Sequence, residues 1–144
     1  MKVFSLILAT GVMVSCAPEP HVYGTFVEKS IAVPSLGGHY VKTEFRNAGW
    51  KLNIKNTNSS SVTDGHVTLH RNNASSRYTM DYGVTNTGYN LWTGNNNDPV
   101  EHITIYDNKN GEEMLNYSGT DITSAMGAMR LINAVNKYTA PNAK

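Results

Sequence analysis

The 144-residue chain has one cysteine, Cys16, so no intramolecular disulfide can form. A chain of this length can bury a workable core without a covalent staple. Charge is scarce too, at 16% Asp, Glu, Lys and Arg, and it is scattered with no run of either sign. Formal net charge is +1; without Lys2, 11 basic residues face 11 acidic ones. That balance removes the electrostatic footprint of a nucleic-acid-binding protein. No apolar run reaches the roughly 20 residues that cross a bilayer as a helix. A Gly-x-Ser-x-Gly nucleophile elbow is missing, as is any phosphate-binding glycine loop: Gly37-Gly38 and the Gly83 to Gly88 stretch fit neither common pattern. There is no internal repeat of useful length.

What the chain has in excess is asparagine, 17 residues, mostly in stretches with turn character. Asn tolerates left-handed backbone, so this excess fits a loop-rich β protein. Asn58, Asn73 and Asn116 each open a glycosylation sequon, but a chain rich in Asn, Ser and Thr makes such matches by chance.

Residues 1–15 read as a signal peptide. Lys2 is the short positive region, and Val3 to Val14 form an apolar stretch of signal-core length. A conventional cut after Ser15-Cys16-Ala17 would leave Pro18 first, which disfavours it. Met13-Val14-Ser15-Cys16 resembles a bacterial lipobox, with Met13 where the pattern prefers Leu. That resemblance implies thioether lipidation and amino-terminal acylation of Cys16. Stable anchoring needs more than one acyl chain, and a triacylated cysteine meets the need. By analogy with enterobacterial sorting, Ala17 is not the Asp that retains lipoproteins at the inner membrane. The expected place is therefore the outer membrane, facing the periplasm, or the cell membrane in a host with one membrane.

Residues 16–24 read as a lipidated tether, because its prolines discourage helix and sheet alike. Residues 25–138 read as one α+β domain, and residues 139–144 as a tail. Thr25 to Val33 predicts a strand ended by Pro34. Leu36, Tyr40, Val41, Phe45 and Ala48 recur at helical spacing over 35–48, with a later start if Gly37-Gly38 weaken the first turn. Trp50, Leu52 and Ile54 alternate as a half-buried strand does. His66 to His70, Tyr78 to Val84 and a minor segment from Tyr89 to Thr93 continue the strands, and residues 94–99 read as a loop. Val100 to Tyr106 and Glu112 to Tyr117 make the clearest hairpin, turning at Asn110-Gly111. Thr120 or Asp121 would cap a last helix running to about Tyr138, with Ile122, Ala125, Met126, Met129, Ile132 and Val135 as its buried stripe. The expected architecture is a mostly antiparallel sheet with two helices packed on one face, in the order β-α-β-β-β-β-β-α.

Sites of chemistry are few. His66 and His70 are four apart, but on a strand that separates them by roughly 13 Å, too far for one zinc. His39 and His102 stand alone. Asp107 to Gly111 lacks the ligand spacing of a calcium loop, which leaves the hairpin turn. Glu112 and Glu113 point to opposite faces of a strand and are no acid–base pair. Asp64 with Asp81 would have to be joined by the fold. The expectation is no catalytic activity, no metal and no cofactor. Tyr89 and Trp92, beside Asn95 and Asn96, form a candidate contact surface for a protein or sugar; the alternative is that Trp92 closes the core beneath the loop.

The layout is similar to a class of small proteobacterial envelope lipoproteins. The shared pattern is a lipobox, a strand and helix ending in Gly, then Gly49-Trp50-Lys51-Leu52, Tyr78 to Tyr82, Ile103 to Gly111, Tyr117-Ser118-Gly119 and a final helix. That class looks like the anticodon-binding-like domains of the curli secretion lipoprotein and of penicillin-binding-protein activators. The resemblance spans about residues 25–138 and rests on element order and a few turn residues. It implies a protein-interaction or assembly-accessory role with an envelope protein partner, and it supplies no catalytic residues. The alternative reading is a periplasmic binding module for a small ligand or cell-wall glycan.

Overall fold

The run Ile31-Ala32-Val33 carries no polar residue, as expected of a strand covered on both faces. In the computed structural model it forms the middle of strand β2 (Ser30–Pro34), and all three residues are completely buried. The structure describes residues 19–35, 37–55, 62–63, 66–67, 75–85, 89–90, 95–96, 100–119 and 124–144.

After β2 the chain turns through Gly37 and Gly38, both at positive φ, into helix α1 (His39–Asn47). The helix starts after the glycines, because the left-handed Gly38 at its N-cap cannot be part of the helix. Val41 and Phe45 are buried, while Tyr40, placed on the apolar stripe by sequence spacing, is half exposed. Gly49, at φ 86°, ends the helix and turns the chain into β3 (Lys51–Lys55). The crossover through α1 returns the chain in its original direction, so β3 pairs with β2 in parallel.

The remaining strands are β1 (His21–Val22), β4 (Val62–Thr63), β5 (His66–Val67), β6 (Tyr78–Thr85), β7 (Tyr89–Asn90), β8 (Asn95–Asn96), β9 (Val100–Asp107) and β10 (Glu113–Gly119). The main sheet runs β1-β10-β9-β6-β2-β3, with the β4–β5 pair joined to β6. The α+β class is as the sequence predicts, but the sheet is mixed. β2 is parallel to both β3 and β6, and the other pairings of the sheet are antiparallel. The hairpin forms in register, with Tyr117 opposite Ile103 and Leu115 opposite Ile105.

Helix α2 (Ala125–Lys137) closes the domain and packs with α1 against one face of the sheet. Its N-cap is Ser124, whose hydroxyl accepts from the Gly127 amide at 3.1 Å, beyond both predicted caps, Thr120 and Asp121. Its buried face is Gly127, Ala128, Leu131, Ile132 and Val135. Met126 and Met129, assigned to the buried stripe from sequence, are 66% and 53% exposed. Ile122 lies outside the described residues. The core joins these helix residues to Ile31, Val33, Tyr78, Met80, Tyr82, Ile103, Ile105, Leu115 and Tyr117 from the sheet. At one end, Phe26, Phe45, Trp50 and Tyr78 meet edge to face or tilted, with centroids 5.1–6.0 Å apart.

Residues 21–22 and the segment 139–144 depart from the sequence reading. His21–Val22, read as part of a tether, pair with Asn116 and Leu115 and add an edge strand. The expected tail is also fixed: Ala140 N donates to Phe26 O at 2.8 Å, and Lys29 N donates to Lys144 O at 2.9 Å. Pro20 stops just short of the pairing, so it does not remove a ladder donor.

Candidate functional site

Of the predicted contact residues, Tyr89, Asn95 and Asn96 have a described backbone. They lie in a separate two-stranded pair in which Tyr89 faces Asn96 and Asn90 faces Asn95. Asn95–Asn96, read as loop, are therefore paired strand. Trp92 and Cys16, the expected site of lipidation, lie outside the described residues, as do Asp64 and His70. His66 sits on β5 opposite Gly83. His102 Nδ1 lies 2.7 Å from Ser118 Oγ across the hairpin, and His39 rests edge-on against Tyr40. Among the described residues, no group of His, Cys, Asp and Glu could hold a metal ion.

The Asp107 to Gly111 segment is a turn. Gly111 has φ 75°, its amide donates to Asp107 O at 2.7 Å, and the Glu112 amide donates to Asn110 Oδ1 at 2.9 Å. Asp107 is engaged from the side by Arg77, whose Nε and Nη2 donate to its two carboxylate oxygens at 3.0 and 3.1 Å. Burial pushes the Asp107 carboxyl up, but hydrogen bonds from Arg77 and from the Lys109 amide, with the Arg77 charge, outweigh it and hold the group below its ordinary range. The same bond with Asp107 holds Arg77 further into its charged form. Arg77 Nη1 also reaches exposed Glu28 at 3.1 Å. Sequence reading missed this fork, because Arg77 and Asp107 are joined only by the pairing of β6 with β9.

A second constellation lies where β2 ends and α1 begins. A cavity of about 340 Å³ is lined by Ser35, Gly37, Gly38, His39, Tyr40, Lys42 and Tyr82. Lys42 is only 9% exposed, and its Nζ donates to Ser35 O at 3.0 Å. Burial lowers its pKa, and Arg46 on the same helix adds to the effect. The Tyr82 hydroxyl is hydrogen-bonded with buried Glu101 from β9; burial first, then that carboxylate, raises it to about 12. Gly37 is required here for two reasons: φ is 75°, and a Cβ would lie 2.6 Å from the Tyr82 ring. From sequence, Gly37-Gly38 carried only a helix-start signal. Nothing local linked them to Tyr82, 45 residues away.

A third feature is a cleft of about 440 Å³ between the amino-terminal segment and α2. Its walls are Glu19, Pro20, Arg130, Asn133, Ala134, Lys137 and Tyr138. It brings Glu19 and Pro20 against the carboxyl half of α2.

The fold defines an α+β domain with two helices on one face of a mixed sheet. No family model matches the chain, and no curated protein matches it in sequence. A solved structure to which it is similar is a PelC dodecamer from Paraburkholderia phytofirmans. That likeness is 15% identical, covers 83% of this chain and 96% of that chain, and has a TM-score of 0.38, too low to carry an argument.

Proposed function

We propose that the protein is a lipid-anchored envelope lipoprotein whose α+β domain serves as a protein-interaction or assembly-accessory module. One observation carries the reading: the lipobox-like Met13 to Cys16 stands only a few residues before the folded domain, whose first strand is already paired at His21. A domain held so close to an acylated cysteine works at the membrane surface, where it can be presented to envelope proteins. The proposed address is the periplasmic face of the outer membrane. No sequence signal or described side-chain cluster assembles a catalytic set, and the reading assigns no reaction.

Intact mass of the membrane-extracted protein, measured beside Cys16→Ala, tests the anchor. A mature chain that begins at Cys16 and carries acyl chains, lost in the variant, is the expected result. An unmodified chain beginning elsewhere would sink the proposal. Cross-linking in intact cells then tests the module, with recovery of a specific envelope protein expected.

A further inference from the structure

We infer that the outward stripe of α2 lies against the phospholipid leaflet that holds the acyl chains, so that the domain rests on the membrane by this face. The inference rests on the lipoprotein reading and adds an orientation to it.

The stripe is set by helical geometry. Met126, Met129, Arg130, Asn133 and Lys137 follow at three-to-four spacing and lie opposite the buried face of Ala128, Leu131, Ile132 and Val135. Met126 and Met129 are the two most exposed large apolar side chains of the helix. Two methionines beside basic residues, on a helix with no Asp or Glu, make a surface suited to an anionic lipid boundary. Long Arg and Lys side chains can reach headgroup phosphates while their stems cover apolar surface.

The position of the anchor selects the membrane as occupant. Glu19 and Pro20 form one wall of the α2 cleft, with Arg130, Lys137 and Tyr138 on the other. Cys16 is three residues before Glu19, so chain length alone keeps it within about 10 Å. That distance is close to one screening length at physiological salt. An acylated Cys16 therefore brings the carboxyl half of α2 to the lipid surface. The hairpin turn at Asn110 is held away. His21 pairs with Asn116 at the middle of β10, in an antiparallel sense that sends the preceding residues away from the turn, and about 20 Å of strand separates that pairing from Asn110.

The chain's own chemistry permits a clean test. Acylation consumes the sole native thiol, so a cysteine placed at Met129 or Asn110 can be labelled uniquely. Acylated M129C and N110C, each carrying an environment-sensitive fluorophore, are reconstituted into vesicles containing phosphatidylglycerol and a spin-labelled lipid. Quenching at position 129 several-fold above that at position 110 is expected. Comparable quenching at both positions, or none at 129 in protein whose mass shows the acyl chains, would overturn the orientation and leave the lipoprotein reading intact. A label at 129 that is shielded but unquenched would overturn it by showing that a second copy or another protein covers the face. A mass without acyl chains would remove both.

Discussion

Arg77 and Asp107 show how much one pair of side chains can fix. Asp107 is almost fully buried at the end of β9, and the two-bond fork from Arg77 ties it to the start of β6. The Asn108 amide donates to Arg77 O, and its side chain reaches Ser76 O and Thr79 Oγ1, so the turn is gripped from both sides. Glu28 adds little, because it is half exposed and screened. The Asp107 carboxyl titrates below its unfolded value of about 3.9. Near that pH the unfolded chain binds the proton more readily, so stability rises with pH. The contribution is complete above the unfolded value and is lost as pH falls through the lower folded one. Asp107→Asn is expected to cost about 2 kcal/mol at pH 7, the scale of a hydrogen bond to a charged group. The gap from wild type should narrow below pH ~4. Urea unfolding of both proteins at pH 7 and pH 3 measures this; an equal gap at both would contradict a role for the charge.

Among the elements, α2 separates what spacing reveals from what packing decides. Both its stripes are apolar enough to be buried: one runs through Met126 and Met129, the other through Ala128, Leu131 and Val135. They share Ile132 and Val135, and periodicity alone does not choose between them. The sheet chooses, because Leu131 and Val135 meet the β-strand core while the methionines face outward. Leu131→Ala should therefore cost about 3 kcal/mol through a cavity. Met129→Ala should stay within about 0.5 kcal/mol, as for other surface changes. Ser124→Ala, which deletes the observed cap, should cost about 1 kcal/mol. Urea midpoints of the three variants give the order. A loss at Met129 matching that at Leu131 would mean that the helix is rotated from the observed face.

In the whole molecule, the segment before β2 and the last residues hold each other. Phe26 N donates to Tyr138 O at 2.8 Å, and the next turns pair Ala140 with Phe26 and Lys144 with Lys29. Phe26 itself is fully buried beside Trp50 and Tyr78, and Tyr78 Oη accepts from the Val27 amide at 2.9 Å. The last residues thus clamp the segment that leads from the proposed anchor into β2. Deleting residues 139–144 removes the Ala140 and Lys144 pairings and should cost about 2 kcal/mol, two ordinary hydrogen bonds. Hydrogen exchange should show the Lys29 amide losing protection first; unchanged protection there would mean that the tail is not holding the segment.

Local features were legible in the sequence for physical reasons. The alternation through Tyr78, Met80 and Tyr82, the Asn110-Gly111 turn and the Gly49 stop each depend on residues adjacent in the chain, where φ preference and side-chain period act directly. The two helices and the α+β class followed from them. The parallel pairing of β2 was not legible, since strand direction depends on where the crossover through α1 returns the chain. Nor were the Arg77–Asp107 fork, the contact of Gly37 with Tyr82 or the clamp of the last residues on Phe26. Each joins groups 30 or more residues apart, and local pattern carries no information about such a meeting until the sheet is assembled. The sequence by itself determined the two helices and the longer strands and pointed to an anchor at Cys16. Only the tertiary structure decided which apolar stripe of α2 is buried, because burial depends on what lies opposite.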